Sequence, residues 1–183
     1  MTFDDALTIT ACIKRLMYQN IIPNIIINDA GSFDGTPEMI AKQIQVKFYI
    51  NAKITLLQDD TNHIGKIERK AVIYNKISNL VTTKYILFLS AKLLLPPYCI
   101  VPLIEKMEQD KKLGMLGIRG EVFDDNHICI DPSIIRTEDA KKITFEGRLD
   151  RCICRNVHPY FREKGQRIEY DNRFMASNLK TLL

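Results

Sequence analysis

The chain has 183 residues, 46% of them hydrophobic and 26% charged, with a formal net charge of +4. That length and balance suit one soluble globular domain spanning 1–183 with a sizeable core, and exclude a disordered chain. The mild positive charge suits an anionic ligand and does not mark a nucleic-acid binder. No apolar run reaches bilayer length and no signal peptide opens the chain, so a cytoplasmic location is expected.

The amino-terminal segment carries two competing patterns. Thr2-Phe3-Asp4-Asp5 resembles a capping box, and Ala6, Ile9, Ile13, Leu16 and Met17 fall on one helical face. Against this, Leu7 to Cys12 alternates with period two and is rich in β-branched residues. Ile25 to Asn28 is a short apolar run, the pattern of a strand buried on both faces. It runs into Asp29-Ala-Gly-Ser-Phe-Asp-Gly-Thr36, an acidic tip and a glycine turn. Asp34 or Thr36 is then placed to cap a helix from Pro37 to Gln45.

Ile54 to Leu57 reads as the next strand, and Gln58 to Gly65 as a polar loop at its carboxyl end. Lys66 to Leu80 follows as a helix with Ile67, Ala71, Tyr74 and Ile77 on one face. Its first turn holds Lys66, Arg69 and Lys70, cations that oppose the helix dipole. Tyr85 to Leu89 is a further buried strand. An amphipathic helix from Pro97 or Pro102 to Lys112 turns Val101, Ile104 and Met107 inward.

Leu113 to Arg119 reads as a strand, followed by Glu121 to Phe123 and the hydrophilic loop Asp124 to His127. Glu138-Asp139 looks like the start of a short helix. Ile143 to Asp150 is loop or short strand. Arg151 to Lys164 is helical up to Pro159, where a kink or break is expected. Gly165 to Tyr170 is a late strand. The five cysteines, at 12, 99, 129, 152 and 154, are odd in number and scattered, so they read as structural thiols rather than a disulfide framework. Cys152-x-Cys154 with His158 lacks a fourth ligand and has unusual spacing for zinc.

Asp29 to Thr36, after its apolar strand, is a full match to Asp-x-Gly-Ser-x-Asp-Gly-Thr and resembles the motif of family-two glycosyltransferases. Asn62, Gly65 and Arg69 resemble the family's Asn-x-Gly and following Arg. Tyr85 to Lys92 with Pro96-Pro97 resembles its apolar strand, Asp-x-Asp and proline-led helix. One departure is large: the two metal-binding carboxylates fall on Ser90 and Lys92. The Ile- and Lys-rich, Trp-free composition suits a low-GC or heat-adapted source, small archaeal viruses included.

The resemblance implies an α/β GT-A fold, Rossmann-like, with a mainly parallel central sheet flanked by helices. It requires a first strand before Ile25, which selects Leu7 to Cys12 as that strand and Lys14 to Asn20 as a short crossover helix. Ile25 to Asn28, Ile54 to Leu57 and Tyr85 to Leu89 are then expected as adjacent strands.

The implied activity is hexosyl transfer from a UDP- or GDP-linked sugar to a carbohydrate, protein or lipid hydroxyl. Asp29, Ser32, Arg69, Ser90 and Lys92 form the implied nucleotide site. Asp29 faces the base and Arg69 the phosphates. Manganese or magnesium is left open, because an ammonium has no lone pair for a metal. Lys92 either approaches the diphosphate in the metal's place or is a surface lysine of a decayed site. A third course is a metal site rebuilt from Asp59, Asp60 or Asp124-Asp125. The acceptor base is expected at Asp150, with Glu146 second. The alternative to an enzyme is a catalytically inactive glycosyltransferase-like binding or assembly protein, which the loss of Asp-x-Asp supports. A sugar nucleotidyltransferase would show a glycine-rich phosphate loop near the amino terminus, and none is present.

Overall fold

The computed structural model describes residues 1–45, 53–120, 132–147 and 156–178. In chain order the first elements are α1 (Ala6–Met17), β1 (Ile25–Asp29), α2 (Thr36–Gln45), β2 (Ile54–Gln58) and α3 (Lys66–Leu80). They are followed by β3 (Tyr85–Phe88), β4 (Leu93–Leu94), α4 (Ile100–Gln109), β5 (Leu113–Gly120), β6 (Ser133–Arg136) and α5 (Thr137–Ala140), and the last two are α6 (Val157–Glu163) and β7 (Arg167–Asn178). Glu121 to Phe123, Asp124 to His127, Asp150 and the Cys152-x-Cys154 pair lie outside the described residues.

The helical pattern wins at the amino terminus. Leu7 to Cys12 is helix, not strand, and α1 ends at Met17, short of Asn20. Thr8, Ile9, Cys12, Ile13 and Leu16 are its buried side. A continuous apolar face with period 3.6 outweighs the weak strand preference of a β-branched run, because packing decides between them. Thr8 also returns its hydroxyl to the Asp5 carbonyl at 3.2 Å, which satisfies its polar atom within the helix.

β1 and β2 pair in parallel, Ile25 opposite Ile54 through Asp29 opposite Gln58. β3 is not their neighbour. It belongs to a second sheet of order β3-β6-β5-β7-β4. The expectation of three adjacent strands therefore fails at β3, which pairs antiparallel with β6. Parallel pairing holds for β1 with β2 and for β5 with β7, while β6 and β4 enter antiparallel.

Helices cover the strands in two apolar clusters. One joins α1 and α4 to the strands through Ile9, Ile13, Leu103, Met107 and Leu116. The other packs α3 and α6 through Ala71, Tyr74, Phe88, Phe145 and Phe161. Tyr74 stacks on Phe88 with centroids 4.6 Å apart, and Phe145 meets Tyr74 edge-on. The buried face of α4 is Ile100, Leu103 and Met107; Val101 and Ile104, expected inward, are only partly buried. Pro159 does not break α6, which runs through it to Glu163. It sits in the first turn, where a backbone N–H has no helical partner to lose. Buried Arg136 donates to the carbonyls of Leu113 and Met107 at 2.6 Å each, so the carboxyl end of α4 is closed by a cation.

Candidate functional site

The site is built around the turn Met1 to Asp5, which lies across the carboxyl ends of β1 and β3. Thr2 forms a parallel bridge with Asp29. The Phe3 ring lies under the Arg69 guanidinium, 3.9 Å from its carbon to the ring centroid. Asp5 pairs with Lys92, whose Nζ is 3.0 Å from the carboxylate. Thus three of the residues singled out from the sequence, Asp29 at the end of β1, Arg69 in the first turn of α3 and Lys92 after β3, each touch a residue of one turn.

Asp29 is 1% exposed, and its carboxylate accepts the Ser32 N–H at 3.1 Å and the Ser32 hydroxyl at 2.5 Å. The turn between them needs Gly31 at φ +83°, where a Cβ would also meet the Asn62 amide nitrogen at 3.1 Å. The Asp29 loop and the loop of residues 61–64 are therefore in contact. Asp59, at the end of β2, accepts from the Asn28 amide at 2.7 Å and from Lys76 at 2.5 Å. Lys76 holds its carboxyl below the ordinary value of 3.8; burial opposes this, and the Asn28 bond adds to it.

Arg69 is buried. Its Nε donates to the Thr61 carbonyl at 2.9 Å, and one terminal nitrogen donates to Asn62 and Ile64 at 2.9 and 3.1 Å. These carbonyls offset the cost of a cation in the first turn of α3. Arg69 thus shapes the loop between β2 and α3. Lys92 is partly exposed, while Asp5 is buried and also accepts from Thr2 and Phe3. Ser90 places its oxygen 3.4 Å from the Lys92 N–H.

Asp34 has a role that the sequence reading did not find in full. It caps the α2 turn as expected, accepting the Thr36 N–H at 3.1 Å, and it also accepts the Ala6 N–H of α1 at 3.0 Å. Burial works to raise its pKa, but these bonds and the Thr36 hydroxyl outweigh it and lower it. Asp4 accepts from the Phe33 N–H, and the Thr36 hydroxyl accepts from the Asp5 N–H. The clue was present in Thr2 to Asp5, whose two acids stand just before an apolar helical face.

Glu146 is exposed and follows Phe145, whose N–H and C=O are both bonded to the Asn75 side chain at 2.9 Å. Gly147 lies against the backbone of α3, where an added Cβ would fall 2.2 Å from the Glu68 Cα. The Glu146 segment is therefore pinned against the α3 backbone at Glu68, the residue before Arg69. Among the described residues no three His, Cys, Asp or Glu side chains converge to hold a metal ion. Ser90 and Lys92 offer a hydroxyl and an ammonium, which do not fit a divalent cation, and the nearby Asp5 already faces Lys92. Cys12 and Cys99 are buried, and burial pushes the Cys99 thiol up to about 11, which makes it unreactive.

Residues 1–175 match the glycosyl transferase family 2. The chain belongs to that family. No curated protein matches it by sequence. Among solved structures it resembles the mannosyltransferase PcManGT from Pyrobaculum calidifontis, in complex with GDP-Man and Mn2+, at TM-score 0.74 and 14% identity over 97% of this chain. It also resembles S. aureus TarS 1–349 at TM-score 0.72 and 16% identity over 96% of this chain. A TarS 1–349 complex with UDP-GlcNAc gives TM-score 0.69 and 15% identity over 97% of this chain. The chain spans only 55%, 58% and 56% of those three chains. At these identities the likeness shows the fold, and the chain has the GT-A fold, α/β with helices flanking the sheet. Among the described residues no helix is long and apolar enough to cross a membrane.

Proposed function

We infer that this family-two chain transfers a hexosyl group from a nucleotide-diphosphate sugar, UDP- or GDP-linked, to an acceptor hydroxyl. The observation that carries the reading is the gathering of Asp29, Arg69 and Lys92 on the Met1 to Asp5 turn. Two structures of this fold hold such donors, GDP-Man in one and UDP-GlcNAc in the other. In the reaction the bond between the sugar carbon and the diphosphate oxygen breaks, and the acceptor oxygen bonds to that carbon. Its proton passes to one carboxylate, for which Asp150 is the first candidate and Glu146 the second.

The roles proposed for the chain's own groups follow from their surroundings. Asp29 has two further lone-pair directions on its carboxylate beyond those taken by Ser32, and these accept from the nucleotide base. Arg69 holds the 61–64 loop in the shape that receives the phosphates. Lys92 supplies one positive charge to the leaving diphosphate, partly offset by Asp5. Ser90 donates its hydroxyl beside it. The acceptor is a carbohydrate, protein or lipid.

Calorimetric titration with UDP, GDP and their sugars, each with manganese and with a chelator, tests this. Saturable binding of one nucleotide sugar, followed by release of the diphosphate when acceptors are supplied, is the expected result. No binding under either condition would reject donor use and leave the chain as a binding or assembly protein of this fold.

A further inference from the structure

Among the described residues the four most exposed large apolar side chains are Leu7 and Phe33, each 85% exposed, Tyr18 at 68% and Tyr98 at 60%. Leu7 and Tyr18 lie at the two ends of one stripe of α1, with Ala11 and exposed Lys14 between them. These four positions fall within about 60° of one another around the helix and span about 16 Å. The stripe lies opposite the buried one that holds Ile9, Ile13 and Leu16. Phe33 adjoins the Leu7 end, where its N–H donates to Asp4 and the Ala6 N–H donates to Asp34.

Tyr98 adjoins the Tyr18 end. The amide of Gln19, the residue after Tyr18, donates to the Pro96 carbonyl at 2.9 Å and accepts the Cys99 N–H at 3.0 Å. Pro97 and Tyr98 are thus the centre of a turn whose two ends Gln19 joins. Tyr98 sits there at φ +59°, a conformation that suits glycine or asparagine. The fold holds a tyrosine in strained backbone and leaves its ring in solvent, so packing does not account for it. The charge of this side is one-signed. Between Asp5 and Asp29 the chain has no acid, and Lys14 and Arg15 are its charged residues there. Residues 93–104 carry no charge.

We propose that this face of α1, continued by Phe33 and Tyr98, docks onto an anionic bilayer surface. The helix lies parallel to the bilayer plane. Leu7 and Phe33 enter the acyl boundary, the two tyrosines stay at headgroup depth, and Lys14 and Arg15 meet the lipid phosphates. A protein partner fits this face less well, because lysine is depleted at the centre of protein interfaces and Lys14 stands in the middle of the stripe. A bilayer accepts apolar tips that stand apart, and it lets a lysine bury its stem while its ammonium stays among phosphates. The acids at the Leu7 end, Asp4 and Asp34, are engaged by backbone N–H groups. The docking does not depend on the proposed transfer reaction.

The chain has no tryptophan, so Leu7→Trp places one reporter on the face, and Val72→Trp, at an exposed position of α3, serves as the control. The vesicles are phosphatidylcholine alone and phosphatidylcholine mixed with phosphatidylglycerol. Emission of the Leu7→Trp protein should shift to the blue on the mixed vesicles only, and that of Val72→Trp on neither. In flotation, Lys14→Glu should weaken binding to the mixed vesicles at least ~10-fold. Tyr98→Gly separates docking from folding: glycine accepts φ +59°, so the thermal midpoint should hold or rise while vesicle binding falls several-fold. Equal binding to both kinds of vesicle, or binding to neither, would overturn the proposal. So would equal shifts for Leu7→Trp and Val72→Trp, or unchanged binding of both Lys14→Glu and Tyr98→Gly. A blue shift of Leu7→Trp that grows with protein concentration in the absence of vesicles would also overturn it, since a second copy would then cover the face.

Discussion

Lys92 and Asp5 form an ion pair of unequal burial. The ammonium is partly exposed, 3.0 Å from a carboxylate that is only 3% exposed. The lysine at the second acidic position of the motif that Ser90-Ala-Lys92 resembles is therefore bound to a carboxylate of the amino-terminal turn.

Removing the lysine leaves that carboxylate buried without its cation. Lys92→Met should lower unfolding free energy by about 1–3 kcal/mol, while Asp5→Asn with Lys92→Met together should recover much of the loss. Urea denaturation of both single variants and the double variant measures the coupling. In binding, Lys92→Ala should weaken UDP or GDP more than the nucleoside, and wild-type binding should survive a chelator. Strict manganese dependence would count against the lysine acting on the diphosphate.

Arg69 donates three hydrogen bonds to carbonyls of one loop and stacks on Phe3. A lysine cannot reproduce that fork. Arg69→Lys should speed amide exchange across residues 61–64 and lower stability by about 1–2 kcal/mol, with the rest of the chain protected as before. Uniform loss of protection would show a global effect instead.

Two glycines are constrained in different ways. Gly147→Ala would press a methyl group onto the α3 backbone and displace the Glu146 segment. Gly31→Ala meets a side chain that can yield, but it strains the backbone at φ +83°. The expected losses are about 2–4 kcal/mol for Gly147→Ala and about 1–2 kcal/mol for Gly31→Ala. Thermal melts rank them.

Acid should weaken the ties from Asp59 to Asn28 of β1 and Lys76 of α3. Asp59 has a folded-state pKa below its ordinary value, so the stability it contributes is present above the unfolded-state pKa of about 3.8 and is lost as pH falls through the lower folded value. Stability should therefore drop below about pH 4. Asp59→Asn should be less stable at neutral pH with a flatter acid limb. Denaturant titrations at pH 7 and pH 3 make the comparison.

The acceptor base can be assigned by kinetics. Glu146→Gln and Asp150→Asn should differ: the base variant loses about 10²–10⁴-fold in kcat with donor affinity unchanged. Equal small effects would place the base elsewhere.

Much of the scaffold was legible. α3 runs from Lys66 to Leu80 as expected, because one apolar face recurs through four turns. The Asp29 to Thr36 turn was readable because its glycines and caps act on their near neighbours. At α1, Leu7 to Cys12 fits either period over six residues, and the resemblance's need for a strand before Ile25 pointed to strand, whereas its partners in the core decide for helix. β6, Ser133-Ile-Ile-Arg136, is buried at every position and so shows no alternation. The partners of Arg69 were unreadable for another reason: they are backbone carbonyls, which every residue carries. The bond from Asp34 to Ala6 spans 28 residues, and no local pattern announces it.

That bond has a consequence for how the loop proposed to hold the nucleotide behaves. Asp34, Ser32 and Phe33 exchange hydrogen bonds with Asp4 and Ala6, and Thr36 with Asp5. The loop is therefore held in its shape before any ligand arrives, and the brace that holds it comes from the first turn of the chain. Trimming a few amino-terminal residues should thus raise the entropic cost of donor capture without deleting a single group that the donor touches.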